Sequence, residues 1–172
     1  MLDKDGFDGW ADKYDMTVDR SMDDGTYPFC GYADVHKAVF ELVQNSSRVL
    51  DLGVGTARLT ERLYDKGIEI TGVDFSENML AAARKKMPKA TLLLADLSEP
   101  DALDGGTGKF DAIIALYSIH HLTDARKAEL INGAKKLISR GGAFVIGDVA
   151  FGNGAEREEC IKAAGDEFDF DE

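Results

Sequence analysis

The stretch Val49–Thr60 most constrains what this chain can fold into. A short apolar run leads through an acidic residue and two glycines into an amphipathic pattern, in which Leu59, Leu63 and Tyr64 recur at helical spacing. This order predicts a strand, a tight turn and a helix that begins near Thr56. Glycine in the turn lets the backbone bend sharply and lets a ligand approach without meeting a Cβ atom.

The turn predicts a ligand site with opposite charges on its two sides. Asp51 lies at the end of the strand and is expected to place a carboxylate in the crevice. The N–H groups at the helix start near Thr56 would face the ligand with the positive end of the helix dipole. Gly53 and Gly55 lie between them. An acid opposite amide donors suits a zwitterion, which describes the methionyl part of S-adenosylmethionine better than a pyrophosphate.

Strand and helix patterns alternate through residues 30–150, which are expected to form the main domain. Apolar runs predict five strands, at residues 48–52, 68–73, 90–95, 110–116 and 143–146. Helical spacing predicts helices at residues 30–44 and 56–66, a helix that Ser76 caps and that contains residues 79–86, and a helix at 123–139 before Gly141 and Gly142. Such alternation specifies an α/β fold: a Rossmann-like, doubly wound and mostly parallel sheet with helices on both faces.

The two ends of the chain differ from this domain. In residues 1–29, four side chains share one helical face: Phe7, Trp10, Ala11 and Tyr14. They are expected either to dock the segment on the domain or to cover the crevice as a lid, since aromatic rings suit a sulfonium cation. Residues 151–172 form an acidic tail that permits a helix as far as Ala164 and is expected to be frayed beyond it.

Composition excludes several classes of partner. The 172 residues carry 32 acidic and 20 basic side chains and a formal net charge of -12, which disfavours binding to a nucleic acid. No apolar run approaches membrane-spanning length and no signal-peptide pattern is present, so a cytoplasmic protein without a membrane partner is expected. Cys30 and Cys160 lie far apart and outside any metal-binding spacing, so we expect two reduced thiols and no metal site.

Acidic residues follow or end four of the five predicted strands: Asp51, Asp74, Asp96 and Asp148. Ligands of open parallel sheets bind beyond these strand ends, although any single carboxylate there could instead cap a helix or a loop. Asp74 lies about 20 residues past the glycine turn. At this position a carboxylate accepts hydrogen bonds from both ribose hydroxyls of a nucleoside. Asp96 could accept from an adenine amino group while the Leu97 N–H donates to the ring. Phe75 and Met79 could flank that ring, or belong to the core.

Over roughly residues 7–150 the chain resembles the class I S-adenosylmethionine-dependent methyltransferases. The matching motifs are Val49–Thr60, Gly72–Ser76, Ala95–Leu97, Phe110–Leu122 and Leu137–Asp148. The opening Trp10–Asp15 is similar to the N-terminal segment of the small-molecule branch of that family. The resemblance implies S-adenosylmethionine as the cofactor and the strand order 3-2-1-4-5.

The resemblance also implies which residues bind the cofactor. It implies Asp51, Gly53 and Gly55 at the methionyl part, Asp74 at the ribose, and Asp96 and Leu97 at the adenine. It also implies that Leu116 and Tyr117 border the methionyl part and the substrate, and that Tyr14 helps to close the site.

The implied reaction is methyl transfer by in-line displacement to a small molecule. The turn after the fourth strand, Leu116–Ile119, lacks the Asn/Asp-Pro-Pro-aromatic sequence of enzymes that methylate nucleobase amino groups, and neither cysteine follows a proline as in the cytosine C5 enzymes. A general base is optional because the need for one depends on the pKa of the acceptor. If there is a base, we expect His121 or Tyr117; otherwise one histidine would bond the loop backbone and the other would be exposed.

Two other functions are weighed against methyl transfer. The tail contains no apolar strand pattern, so the final antiparallel hairpin of the family is expected to be absent, and a non-catalytic cofactor-binding module is the first alternative. A second copy of the chain could cover the edge of strand five that is then exposed. A nicotinamide-dependent oxidoreductase is the weaker alternative, because Arg58 stands where a dinucleotide fingerprint needs a third glycine.

Overall fold

The computed structural model describes residues 15, 16, 18–20 and 31–165. Within them, five strands form one sheet whose neighbours all run parallel, in the order β3-β2-β1-β4-β5. The strands are β1 Arg48–Leu52, β2 Glu69–Asp74, β3 Thr91–Leu94, β4 Phe110–Leu116 and β5 Ile138–Gly147. The helices are α1 Tyr32–Val43, α2 Thr60–Asp65, α3 Glu77–Lys86, α4 Asp124–Lys135 and α5 Gly154–Ala164. The predicted fold class and strand order are confirmed.

The hydrophobic core is divided between the two faces of this sheet. Successive side chains of a strand point to opposite faces, so Val49 joins one core cluster and Leu50 and Leu52 join the other. The first cluster packs against α1, α2 and α3, whereas the second includes Leu130 of α4. By the same alternation, Asp51 lies on the face of Val49.

The prediction that a helix begins at Thr56 is wrong. Residues 55–59 form turns, and α2 extends only over Thr60–Asp65. The reason lies in the backbone, because Gly55 and Ala57 adopt left-handed conformations with φ of 51° and 64°, which cannot continue a right-handed helix. The amide groups near the glycines therefore belong to a turn rather than to a helix end.

The predicted boundary between the last helix and strand five is also wrong. The prediction extends the helix to residue 139 and begins the strand at 143, whereas α4 ends at Lys135 and β5 begins at Ile138. Ile138 pairs with Phe110, and a register shift follows before Ala143 pairs with Ala112. Gly141, with φ of 85°, lies in this bulge instead of ending the helix. Strands β2 and β3 differ from their predicted ranges by one residue at each end.

The described residues contain neither a membrane-spanning helix nor a cluster of metal-binding side chains. None of their helices has both the length and the apolar character needed to cross a membrane. Nor do three or more of their His, Cys, Asp or Glu side chains come together in a way that could hold a metal ion. Cys160 is a free thiol, and Cys30 lies outside the described ranges.

Candidate cofactor site and active site

The turn after β1 is held against β2 by its backbone. The N–H groups of Gly53 and Val54 both donate to the Val73 carbonyl, at 2.8 and 3.0 Å. Gly53 and Gly55 have φ of 81° and 51°, a conformation that glycine adopts without the steric cost of a Cβ atom. The turn therefore lies between the carboxyl ends of β1 and β2.

The two glycines of this turn serve different purposes. A Cβ atom on Gly53 would lie under 3.0 Å from the Cβ of Ser118, whose hydroxyl donates to the Leu52 carbonyl at 2.7 Å. A Cβ atom on Gly55 would meet no other atom within 4 Å. Gly53 thus permits close packing within the protein, whereas the open space for a ligand lies at Gly55.

Asp74, the last residue of β2, connects the glycine turn to α3. Its carboxylate is buried and accepts from the Gly55 N–H at 2.8 Å and from the Ser76 N–H at 2.9 Å. The Ser76 hydroxyl in turn accepts from the Met79 N–H at 3.2 Å, which confirms the predicted cap. One carboxylate therefore sets the position of both backbone segments beside the open space.

Asp51 is turned into the protein beneath the same turn. It is 4% exposed and accepts a hydrogen bond from the Thr60 hydroxyl at the start of α2. In the β1–β2 register it faces Gly72, two positions before Asp74. Burial raises the pKa of Asp51 to about 7, the Thr60 hydrogen bond opposes the rise, and the charge of Asp74 adds to it. A nearby cation would therefore favour the charged form of this carboxylate.

Thr56 contacts the N-terminal part of the chain. Its hydroxyl donates to the Asp15 carboxylate at 2.6 Å, and Lys86 of α3 pairs with the other oxygen at 3.1 Å. The Arg58 guanidinium donates to the Asp15 carbonyl at 3.1 Å. Burial raises the pKa of Asp15, but the hydrogen bonds from Thr56 and Lys86 and the charges of Lys86 and Arg58 outweigh burial, so that the pKa is lowered. The helical residues 15, 16 and 18–20 thus dock on the glycine turn.

The aromatic residues that were expected either to dock this segment or to cover the crevice, Trp10 and Tyr14, lie outside the described residues, as do Phe7 and Ala11. Asp15, which follows them directly, shows that docking contacts reach the turn from this part of the chain.

The predicted adenine side is formed by the segment after β3. Asp96 is exposed and accepts from the Ser98 N–H at 2.8 Å, while Leu97 is buried. Arg126 of α4 donates to the Leu97 carbonyl at 2.9 Å and so holds this segment in place. The remaining candidates differ in burial: Phe75 is half-buried, and Met79 is 3% exposed.

Beyond β4 the chain turns sharply at Tyr117. This residue has φ of 49°, an uncommon conformation for a residue with a side chain, and its N–H donates to the Gly147 carbonyl at 2.9 Å. Its ring stacks on that of Tyr32 in α1 with centroids 5.0 Å apart. Leu116, just before it, is half-buried against the core.

The loop after Tyr117 contains a histidine paired with a carboxylate. His120 Nδ1 lies 2.5 Å from Asp148 Oδ1, and Asp148 Oδ2 accepts from the N–H groups of Ile119 and His120 at 3.3 and 3.1 Å. The ring centroids of His120 and His121 lie 3.8 Å apart. The sequence-based candidates for a base were His121 and Tyr117, whereas the residue that the structure pairs with this carboxylate is His120. The signal that could have found it is an acid after strand five opposite a histidine after the neighbouring strand four.

Three observations fit S-adenosylmethionine to this site. The open space at Gly55 leaves the backbone accessible to a ligand. Asp74 lies beside that space, and Asp51 provides a second carboxylate whose pKa lies near neutrality. A cationic ligand with hydroxyl groups suits this combination.

Comparisons with known proteins agree with this geometry. Residues 49–142 match a family model described as a methyltransferase domain. An uncharacterized methyltransferase of Geobacillus sp. is 32% identical over 165 residues, which cover 92% of this chain and 72% of that protein.

Two solved structures are similar as well. The SAM-bound structure of CalS10 from Micromonospora echinaspora, an amino pentose methyltransferase, has a TM-score of 0.57 and 25% identity and covers 70% of this chain. This chain matches only 50% of the length of CalS10. The DhpI–SAH complex, at 21% identity, shows the fold alone; its TM-score is 0.67 over 92% of this chain and 83% of that one.

Proposed function

The chain belongs to the class I S-adenosylmethionine-dependent methyltransferases, and we propose that it methylates a small-molecule acceptor by in-line displacement. S-adenosylmethionine is the cofactor and supplies, when bound, a methyl group activated by its positively charged sulfur. The observation that carries the proposal is the contact between Asp74 and the Gly55 N–H at 2.8 Å, beside the open face of Gly55. It joins the β1 turn and the β2 acid into one cradle at the carboxyl edge of the sheet.

Asp74 has the capacity to hold a ribose in addition to the backbone. The Gly55 and Ser76 N–H groups each donate to one of its oxygens. Because a carboxylate oxygen can accept more than one hydrogen bond, the same carboxylate would also accept from the ribose hydroxyls. Because the backbone contacts already orient the carboxylate, little ordering would be needed when the ligand binds.

The negative charge of Asp51 would attract the ammonium group of the methionyl part. Its pKa of about 7 leaves it poised between neutral and charged forms at physiological pH. A ligand cation nearby would stabilise the charged form, as opposite charges do at short range. Gly55 and the buried Thr56 would border the same part.

The adenine would lie towards β3. Asp96 is exposed and can accept from the exocyclic amino group, while the Leu97 N–H can donate to the ring. Phe75 and Met79 would flank the ring from the start of α3. Arg126, through the Leu97 carbonyl, would keep these groups in position.

A small acceptor is favoured by charge and by similarity. The formal net charge of -12 opposes the approach of polyanions such as nucleic acids. CalS10, at 25% identity, is an amino pentose methyltransferase. The acceptor would enter beside Leu116 and Tyr117, where His121 and Tyr117 are the sequence-based candidates for a base. In-line displacement requires mainly alignment and exclusion of water at this position.

Calorimetric titration with S-adenosylhomocysteine and a product assay test this proposal together. We expect binding in the micromolar range and formation of S-adenosylhomocysteine from S-adenosylmethionine with at least one member of a panel of amino sugars, phenols and thiols. No heat of binding at millimolar ligand, with an intact circular dichroism spectrum, would count against cofactor binding.

A non-catalytic cofactor-binding module is the second candidate. It is favoured by the edge strand β5, whose Ile146 is 45% exposed and could be covered by a partner. That candidate predicts tight binding of S-adenosylhomocysteine with no product across the same panel. Analytical ultracentrifugation would show whether a second copy binds this protein. A dimer would sediment faster than the monomer, and its sedimentation coefficient would rise with protein concentration.

A further inference from the structure

We propose that Tyr32 is a positioning residue of the methyl transfer: it fixes the ring of Tyr117 on the acceptor side of the site, and Arg58 of the glycine turn fixes Tyr32. This inference rests on the proposed function, because it concerns how that reaction aligns its acceptor. Neither Tyr32 nor Arg58 is among the sequence-based candidates for the site.

The first turn of α1 lies at the carboxyl edge of the sheet. A Cβ atom on Gly147, at the end of β5, would lie 2.7 Å from the side chain of Val35 and 2.8 Å from that of Leu116. The missing side chain therefore lets α1 approach the ends of β4 and β5 closely. Tyr32 is the first residue of α1 and so lies beside the turn after β4. Ligands of parallel sheets bind at this edge.

Three aromatic rings are in contact there. The ring centroid of Tyr32 lies 3.9 Å from that of His36 and 5.0 Å from that of Tyr117. The Tyr32–Tyr117 pair is stacked, with 29° between the ring planes. Tyr32 and His36 are only 5% and 9% exposed, whereas Tyr117 is half-buried. Tyr117 is therefore the ring that a ligand can reach, and Tyr32 is the buried ring that supports it.

His36 contacts Tyr32 as an uncharged ring. Burial, together with the positive charges of Arg58 and Arg62, lowers the pKa of His36 to about 4. The imidazole is therefore neutral at physiological pH, and the contact between the two rings does not depend on a proton. The far side of the stack is thus a fixed support.

Arg58 connects Tyr32 to the glycine turn. Its guanidinium carbon lies 5.7 Å from the centroid of the Tyr32 ring, within the range of a cation–π contact. Nη1 donates to the Asp15 carbonyl at 3.1 Å, and Nη2 donates to the Asp19 carboxylate at 2.5 Å. A planar guanidinium that is held at two points keeps its orientation. The turn at the proposed cofactor site therefore also holds the ring that supports Tyr117.

The backbone of Tyr117 fixes the same ring from the other side. Its φ of 49° costs free energy and persists only where the surrounding contacts enforce it. Its N–H donates to the Gly147 carbonyl at 2.9 Å, and the next side chain, Ser118, donates to the Leu52 carbonyl at 2.7 Å. With the backbone fixed, stacking on Tyr32 selects one rotamer of the Tyr117 ring. A ring held in this way would align the acceptor, and alignment is the main requirement of an in-line displacement.

Fluorine-19 NMR of protein labelled with fluorotyrosine tests the contacts without any ligand. The chain contains five tyrosines, which single Tyr→Phe variants assign. We expect Tyr32→Leu to shift the resonance of Tyr117 and to leave that of Tyr64 unchanged. We expect Arg58→Gln, at a half-buried position, to shift the resonances of both Tyr32 and Tyr117. A Tyr117 resonance that neither variant moves would overturn the proposal, and this holds for Arg58→Gln alone if Tyr32→Leu does not fold.

Kinetics with the panel compound that gives most product provides the second test. We expect Tyr32→Leu to lower kcat/KM for the acceptor about tenfold and to leave the Kd of S-adenosylhomocysteine unchanged. Tyr32→Phe keeps the ring and should retain the wild-type kcat/KM.

Tyr64→Leu is the matched control for these kinetics. It removes a half-buried tyrosine of α2 whose hydroxyl accepts from the Lys89 N–H at 3.3 Å, so it should leave kcat/KM unchanged. Equal kcat/KM values for wild type and Tyr32→Leu, or an equal fall in Tyr64→Leu, would overturn this inference alone. A wild type without product would overturn the proposed function and this inference with it.

Discussion

Gly53 and Ser118 pack so closely that a Cβ atom on Gly53 would lie under 3.0 Å from the Cβ of Ser118. The Ser118 hydroxyl also donates to the Leu52 carbonyl, immediately before Gly53. The turn after β1 and the turn after β4 therefore form one packed unit. This packed unit joins the turn at the proposed cofactor side of the site to the loop that contains His120.

The first prediction compares alanine at the two glycines. Gly53→Ala should lower the free energy of unfolding by about 3 kcal/mol, because it combines a left-handed φ with a steric overlap. Gly55→Ala should cost only about 1 kcal/mol, since its Cβ would enter open space, yet it should weaken S-adenosylhomocysteine binding. Urea denaturation and calorimetric titration measure the two effects.

A double variant serves as the control for this pair. Ser118→Gly removes the atoms that Gly53→Ala would overlap, so the double variant should recover part of the lost stability. Equal stability of Gly53→Ala and Gly55→Ala would contradict the packing relationship.

The second prediction concerns Asp74. Asp74→Ala removes the acceptor of the Gly55 and Ser76 N–H groups and the proposed ribose contact, so the affinity for S-adenosylhomocysteine should fall by about 1–3 kcal/mol. Asp74→Asn keeps one carbonyl oxygen and should lose less. An unchanged Kd in Asp74→Ala, measured by titration calorimetry, would remove Asp74 from the site.

The third prediction is a dependence of stability on pH that arises from Asp51. In the folded protein its pKa is about 7, whereas an unfolded aspartate has a pKa of about 3.9. Between these values the folded state keeps a proton that the unfolded state has lost, so the free energy of unfolding falls as pH rises through this range. The loss from this one group is on the order of 4 kcal/mol when complete.

Asp51→Asn is the control, because it cannot titrate but can still accept from the Thr60 hydroxyl. Denaturant unfolding between pH 4.5 and 7.5 should show a steeper decline in the wild type than in Asp51→Asn. Parallel stability curves for the two proteins would show that Asp51 does not titrate in this range.

The fourth prediction tests the docking of the helical residues 15, 16 and 18–20 on the glycine turn. Lys86→Ala removes the ion pair with Asp15 and should lower the free energy of unfolding by about 0.5 kcal/mol at low salt. The difference should shrink at high salt, where the pair is screened. Lys85→Ala is the matched control, since that side chain is exposed, and a loss as large as that of Lys86→Ala would contradict the docking contact.

Much of the fold followed from local patterns in the chain. Apolar runs and their spacing predicted the five strands, and Ser76 was predicted as the cap of α3. The errors lie where backbone conformation overrides pattern. Because the backbone of Ala57 is in a left-handed conformation, α2 begins only at Thr60. Gly141 lies in the bulge of β5 instead of ending a helix.

The sequence by itself determined the α/β alternation and the placement of acids at the strand ends, because both depend on residues near one another in the chain. Only the tertiary structure decided that Gly53 faces Ser118 while Gly55 faces open space. It also decided that His120 meets the carboxylate of Asp148, which lies 28 residues away and approaches through the pairing of β4 with β5. The physical reason is that the side chains which meet at the edge of a parallel sheet come from separate strands, and the register of those strands is set by packing across the whole sheet.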